Sequence, residues 1–249
     1  TEALARAHPE WCVTVLCPGF VRTELVDALI QAGRLNPEGA VSRIALGRMA
    51  EPQEIAHALF FLASPGAAPL SGQALSVDGG SSVYGGSQPL PATQLGVQPW
   101  DTPLRLEVVG GDAAHWQAIG HASASGPHHS AGLDVSAHQA APGTLLQAVQ
   151  SAATRFANRH TQQASLTLLL PAETPTDWPA AGDHAAARML VSTLACEWGS
   201  RALRINALVV PADVTPLALH PLLRYVCGAS AQFLTGQTIA CGRPSLGVA

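Results

Sequence analysis

Residues 71–80 read SGQALSVDGG, and they decide the fold together with LCPGFVRTEL at 16–25 and GRMAEPQEIAHALFFLAS at 47–64. Ser71-Gly72-Gln73 turns the chain into a short run, ALSV, and Asp78-Gly79-Gly80 ends it, the pattern of a strand held between turns. Upstream, residues 12–16 (CVTVL) form an apolar run that predicts a buried parallel strand. Pro18-Gly19 stops that run, because proline has no N–H for a ladder and glycine has no Cβ. Ligands of open α/β sheets bind outside the carboxyl ends of strands, and a glycine there lets backbone approach a flat ring. Thr23 offers a hydroxyl close by. Pro52 suits the first turn of a helix. Ile55, Leu59 and Leu62, with Ala56 and Phe60 alongside, predict one apolar face packed on a sheet.

The order and spacing of these pieces resemble the last third of a short-chain dehydrogenase/reductase (SDR), a family that moves hydride between a nicotinamide cofactor and a carbonyl or alcohol. The resemblance implies that Pro18, Gly19, Val21 and Thr23 match the family's Pro-Gly-x-Val-x-Thr stretch and lie along the nicotinamide of NAD or NADP. It also makes residues 24–48, with Gly33, Asn36-Pro37 and Gly39, a substrate lid. The residue that would choose between NAD and NADP follows the second strand, which this first module lacks. TEALA at the start reads as the interior of a helix, so the phosphate loop and the family's Ser, Tyr and Lys are expected before Thr1 or on another chain.

The same tail recurs later, as an internal repeat. LRINAL (203–208) and FLTGQTIACG (233–242) look like the corresponding strand, turn and final strand. Leu194-Ala195-x-Glu197 looks like the helix before them. TLLQAVQSAATRF (144–156) places Leu145, Val149, Ala152 and Phe156 on one helical face, and SLTLLL (165–170) predicts a strand. The fold class expected is α/β, a Rossmann-like doubly wound parallel sheet. Residues 1–86 would be the end of one module, 87–103 a Gly/Pro/Gln-rich linker, and 104–249 a shortened, degenerate second module. In that second copy the family's Tyr and Lys fall on Ala180 and His184, and Val210-Pro211 stands where Pro-Gly should. The lid between Pro211 and Gly236 is much reduced.

No catalytic residue is assigned within the chain. All 13 basic residues are arginines, whereas the family's acid needs a tyrosine beside an ammonium, and arginine differs in geometry and hydration. Tyr84 and Tyr225 are the only tyrosines, and neither is expected on a helix face following a strand. Gly110-Gly111 after LRLEVV is the nearest approach to a phosphate loop and lacks the later glycines.

Hydrophobic residues make up 47% of the chain and charged residues 12%, which predicts a large core or interface. A net charge of −4 without a basic run argues against nucleic acid. No apolar stretch reaches a membrane span and no secretory signal is recognisable. Cys12, Cys17, Cys196, Cys227 and Cys241 show no paired short spacing and predict reduced, buried thiols in a cytoplasmic protein. His115, His121, His128, His129 and His138 lack the spacing of a zinc motif, and residues 120–132 read as a flexible surface insert. No metal is expected.

Two readings follow. The first is the C-terminal part of an NAD(P)-dependent SDR oxidoreductase acting on a small carbonyl or alcohol. The second is a non-catalytic SDR-like subunit that dimerises with an active one. In either case the partner would be an SDR-type subunit or the missing N-terminal part, in an oligomer.

Overall fold

The computed structural model describes every residue except 111, 112, 118, 120–125, 173, 174, 176 and 243–249. Helix α1 (Glu2–Ala7) leads to strand β1 (Val15–Pro18). Helices α2 (Glu24–Gln31), α3 (Pro37–Val41) and α4 (Pro52–Leu62) follow, then a 3-10 segment (Pro65–Leu70) and strand β2 (Ala74–Val77). β1 and β2 make a two-stranded parallel sheet with Val15 opposite Ala74 and Pro18 opposite Val77.

Two expectations change here. The strand lies three residues later than CVTVL at its start, and Val15, Cys17 and Pro18 are exposed, because among the described residues β1 has a neighbouring strand on one side only. Helix α4 does bury one face, through Glu54, Ala58 and Phe61, with Ile55 and Leu62 of the expected face packed against the same core, while Leu59 is 53% and Phe60 80% exposed. The cause is Glu54. Its carboxylate accepts two bonds from Arg48, at 2.6 and 2.7 Å, and the Glu51 N–H at 2.8 Å. That neutralised, capped end turns the 54/58/61 row inward.

The rest of the chain forms β3 (Leu104–Val109), α5 (Ala113–Trp116), β4 (His129–Asp134), α6 (Leu145–Ala157), β5 (Ala164–Pro171), α7 (Trp178–Trp198), β6 (Leu203–Val210), α8 (Pro216–Cys227) and β7 (Thr238–Ala240). The five strands are parallel and lie in the order β3-β4-β5-β6-β7. β5 and β6 are almost continuous apolar runs because both their faces are covered. Leu166, Leu168, Leu203 and Ile205 pack with α6 and α7 on one face. Leu169, Leu208 and Val210 join Leu219, Leu222 and Leu223 of α8 on the other. Helices thus cover both faces of a Rossmann-like α/β sheet, but the strand order never reverses. Among the described strands there is no switch point of the kind that makes a dinucleotide crevice.

Three further readings are corrected. Residues 120–125 of the expected insert lie outside the described residues, whereas His129–Asp134 is a strand and His129 is 1% exposed. Pairing with β3 and β5 overrides the polar composition there. Tyr225 does sit on a helix after a strand. The prolines at 211, 216 and 221 obscured α8, yet Pro216 occupies its first turn, where no N–H is needed, and the Thr215 hydroxyl caps it. Cys12 and Cys17 are exposed, and only Cys227 and Cys241 are fully buried.

Residues 87–103 contain no helix or strand, but they are strapped to the loop before α4 and to the turn after α8. Leu90 N–H donates to Ser42 O at 2.9 Å and Thr93 N–H to Gly47 O at 3.0 Å. Gln98 and Gln232 exchange two hydrogen bonds, at 2.9 and 2.8 Å. The two strand pairs that end each sheet share one register. Val15 lies opposite Ala74 and Ala207 opposite Thr238. Gly72 N–H donates to Val13 O as Gly236 N–H does to Ile205 O, and Val15 N–H donates to Gln73 O as Ala207 N–H does to Gln237 O.

Candidate active site flank

The end of β1 brings Pro18, Gly19 and Val21 together, with Thr23 one step further at the start of α2. Gly19 N–H continues the ladder to Val77 O at 3.2 Å. A Cβ on Gly19 would lie 2.7 Å from Asp78 Cα and 2.8 Å from its Cβ, so the glycine is already required by the neighbouring strand end. Asp78 is 6% exposed and closes that end by accepting from Gly80 N–H at 2.9 Å and Ser82 N–H at 2.8 Å. Backbone donors suffice to stabilise its carboxylate, in the manner of an Asx turn.

Val21 bridges to Ala50, with Arg22 N–H donating to Ala50 O at 2.8 Å and Ala50 N–H to Phe20 O at 2.9 Å. The loop after β1 is therefore tied to the chain entering α4. The Thr23 hydroxyl accepts from Val26 N–H at 3.4 Å and caps α2. Behind Arg22 opens a cavity of about 600 Å³, lined by Ile30 of α2, Val41 of α3, Met49, Glu51 and Leu90. Its size suits a small organic molecule. Leu90 comes from the strap, a contribution that no local signal in the sequence announces. Arg48, which also lines the cavity, has its cation satisfied by Glu54 and lies 5.1 Å from the centre of the Phe233 ring.

The five-stranded unit has a different equivalent. Val210 ends β6, and Pro211 follows where Gly19 stands after β1. Ala180 and His184 line a cavity of about 150 Å³ with Pro171 and Asp183. The Asp183 carboxylate is committed to the start of α6, accepting from Leu145 N–H at 2.8 Å and Leu146 N–H at 3.0 Å. A methyl group and an imidazole there provide no tyrosine-like acid. Gly110 turns with φ +80°, and a Cβ on it would lie 2.9 Å from an oxygen of the Asp134 carboxylate, whose acceptors are already taken by Ser136 and Arg155.

A buried polar cluster in this unit was not foreseen. Arg204 is 2% exposed and donates to the carbonyls of Val226, Gly228, Ala231 and Leu234 at 2.8–3.3 Å. The carbonyl end of α8 thereby substitutes for a carboxylate. Burial still lowers the guanidinium pKa to about 10. His129 bonds Gln98 of the strap at 2.7 Å and Ser165 at 3.1 Å. Burial first, and Arg204 second, lower its pKa to about 3. Burial pushes the Cys227 thiol up to about 11 and Cys241 up to about 12. Among the described residues no three His, Cys, Asp or Glu side chains gather as metal ligands, and no helix is long and apolar enough to cross a membrane.

Comparison with known proteins locates the family signal. Residues 3–82 match the family model described as enoyl-(acyl carrier protein) reductase. An uncharacterized short-chain type dehydrogenase/reductase, y4vI, of Sinorhizobium fredii is 48% identical over 68 residues, 27% of this chain and 12% of that protein. The 3-oxoacyl-(acyl-carrier-protein) reductase FabG of Thermotoga maritima is 40% identical over 68 residues, 27% of this chain and 26% of its own length. An acetoacetyl-CoA reductase of Rhizobium meliloti is 37% identical over 82 residues, 32% and 33% respectively. These relatives support SDR-family similarity, carried by the first 82 residues. The chain spans a third or less of the length of these curated relatives. A crystal structure of hydroxysteroid dehydrogenase from Escherichia coli aligns over 46% of this chain and 64% of its own, at 12% identity and a TM-score of 0.35, too low to bear on the fold.

Proposed function

We propose that residues 1–86 supply the carboxyl-terminal part of an SDR-type oxidoreductase that transfers hydride between NAD or NADP and a carbonyl or alcohol. The observation that carries this reading is the end of β1. There, within the segment similar to the family, Gly19 lies against Asp78, with helices α2 and α3 and the cavity they line next to it. The cofactor, when bound, supplies or accepts the hydride. This chain's residues fit one flank of a flat ring and no more. Pro18 and Gly19 give an edge poor in side chains, Val21 holds that edge to Ala50, and Thr23 starts the lid. The chain contains no lysine. The catalytic Ser, Tyr and Lys and the phosphate loop of this reading therefore come from residues outside it, upstream or on another chain, in a cytoplasmic oligomer. Residues 104–249 act in the same reading as a shortened, degenerate SDR-like module. Its site positions carry Ala180, His184 and Pro211, while its final strand pair keeps the register of the first.

The alternative is a non-catalytic subunit that binds an active SDR subunit; what supports it is that Ala180, His184 and Pro211 stand at the site positions of the second unit while the register of its final strand pair is kept. One experiment separates them. Joined to an N-terminal SDR segment carrying the phosphate loop and the Ser, Tyr and Lys that this reading requires, the chain is assayed for ketone-dependent oxidation of NADH and NADPH, followed by nicotinamide absorbance. Turnover supports the enzyme. A well-folded, inactive protein that binds neither cofactor favours the subunit.

A further inference from the structure

We propose that the two sheets meet across a quasi-two-fold axis, so that the five-stranded unit is a tethered stand-in for a second copy of the two-stranded unit and fills, in cis, the face through which such copies would associate. This goes beyond the functional reading and does not depend on it. In an isologous interface each contact between two different positions occurs twice, and a residue on the axis meets its own counterpart. Here the strand pairs fix the correspondence, because Leu75 and Ile239 hold the same place in one register. Carried back along the chain without a gap, that correspondence matches Phe61 with Tyr225 and Pro69 with Phe233.

Phe61 and Tyr225 stack on each other, with ring centres 4.1 Å apart and planes at 5°. They are counterparts in contact, which places them on the axis. Off the axis, a contact recurs one residue out of step. Gly79 N–H donates to Phe233 O at 2.9 Å, and Gly242 N–H donates to Pro69 O at 2.9 Å. Pro69 and Phe233 are counterparts, and Gly242 corresponds to Asp78, one residue from Gly79. The Tyr225 hydroxyl is buried with no hydrogen-bond partner among the described residues. The position therefore asks for a flat ring and makes no use of the phenol.

The interface also reaches the candidate site. A Cβ on Gly79 would lie 2.6 Å from both Ile44 and the Phe233 ring, and a Cβ on Gly199 would run into the Ala45 carbonyl. Phe233 and the turn at Gly199 thus press on residues 44–48, which lead to the cavity. The five-stranded unit is a partner that the first unit always has.

The test uses the whole chain with a protease-recognition sequence inserted after Ser87, which is exposed. Before and after cutting, mass is measured by light scattering during size exclusion. The uncut chain should not associate through this face, and the cut halves should travel together, one to one. Phe61→Arg and Tyr225→Arg should each weaken the cut pair by at least about tenfold. Phe60→Arg, on the exposed side of the same helix, should leave it intact. Tyr225→Phe should hold at least as well as the original, and this variant decides the matter if the arginine variants do not fold. Three results would overturn the proposal: halves that separate when cut, halves that pair each with its own kind, or an uncut dimer that Phe61→Arg dissolves. None of these readouts involves a cofactor, so failure here and failure of the enzymatic reading are distinct.

Discussion

The strand pairs β1–β2 and β6–β7 share a register and differ in almost everything around it. Among the described residues β1 has one neighbouring strand and exposes Val15, Cys17 and Pro18, whereas β6 lies between β5 and β7 and is buried from Leu203 through Leu208. After β1 comes Gly19, held against Asp78 by having no side chain; after β6 comes Pro211. The turns that feed the second strand of each pair, Ser-Gly-Gln and Thr-Gly-Gln, are nearly alike, and both glycines have positive φ. In both places the turn's glycine N–H bonds the chain just before the partner register begins, Gly72 to Val13 O and Gly236 to Ile205 O. The residues at the strand ends, and the number of neighbours, decide what each pair does.

The largest expected effect breaks the comparison at one matched position. Cys12 and Arg204 occupy corresponding places before the two strands' shared register begins. Arg204→Met should cost about 3–5 kcal/mol, because it leaves buried carbonyls of α8 and the following turn without a donor. Cys12→Met should stay within about 0.5 kcal/mol, since the side chain is exposed. Urea unfolding of both variants measures the difference.

Next comes the histidine beside Arg204. His129 titrates near 3 in the folded protein against 6.5 when unfolded, so the unfolded state binds the extra proton between those values. Its contribution is complete at pH 7 and is lost as pH falls below 6.5, at about 1.4 kcal/mol per pH unit. His129→Gln should flatten that slope. Comparing Tm against pH for the two proteins cancels the carboxylates that titrate in the same window.

A smaller effect sharpens the contrast at the strand ends. Gly19→Val should destabilise by about 1–3 kcal/mol, because Asp78 cannot yield without opening its turn. Pro211→Val should change stability by less than about 1 kcal/mol. Equal losses in denaturant titration would mean that the two strand ends are built alike. The mildest probe changes no residue. A thiol reagent at pH 8 should label Cys12 and Cys17 in the folded chain and leave Cys227 and Cys241 untouched until denaturation, as burial and raised thiol pKa values require.

How much of this was legible in the sequence depended on the range of the interactions. ALSV, LRINAL, SLTLLL and the helix at 145–157 are read correctly because apolar runs and periodicity are local signals. The face of α4 is read correctly at Ile55 and Leu62 and misread at Leu59 and Phe60, because Glu54 looks like a surface residue until Arg48 neutralises it. β1 reads as buried because the sequence cannot say that it has no second neighbouring strand among the described residues. Arg204 sits in an apolar strand pattern, and its acceptors lie more than twenty residues away, with no motif between. At the candidate site, Pro18, Gly19, Val21 and Thr23, which the family resemblance singled out, lie at and just after the end of β1, but Asp78 and the strap at Leu90 come from elsewhere in the chain. The stack of Phe61 on Tyr225 becomes visible only once both helices have been placed.

The central claim is that this chain holds one flank of a nicotinamide site and not a whole one. Calorimetric titration of NADH and NADPH into the 249-residue chain tests it most directly. The account predicts no tight binding of either cofactor. Micromolar affinity in the chain alone would contradict it.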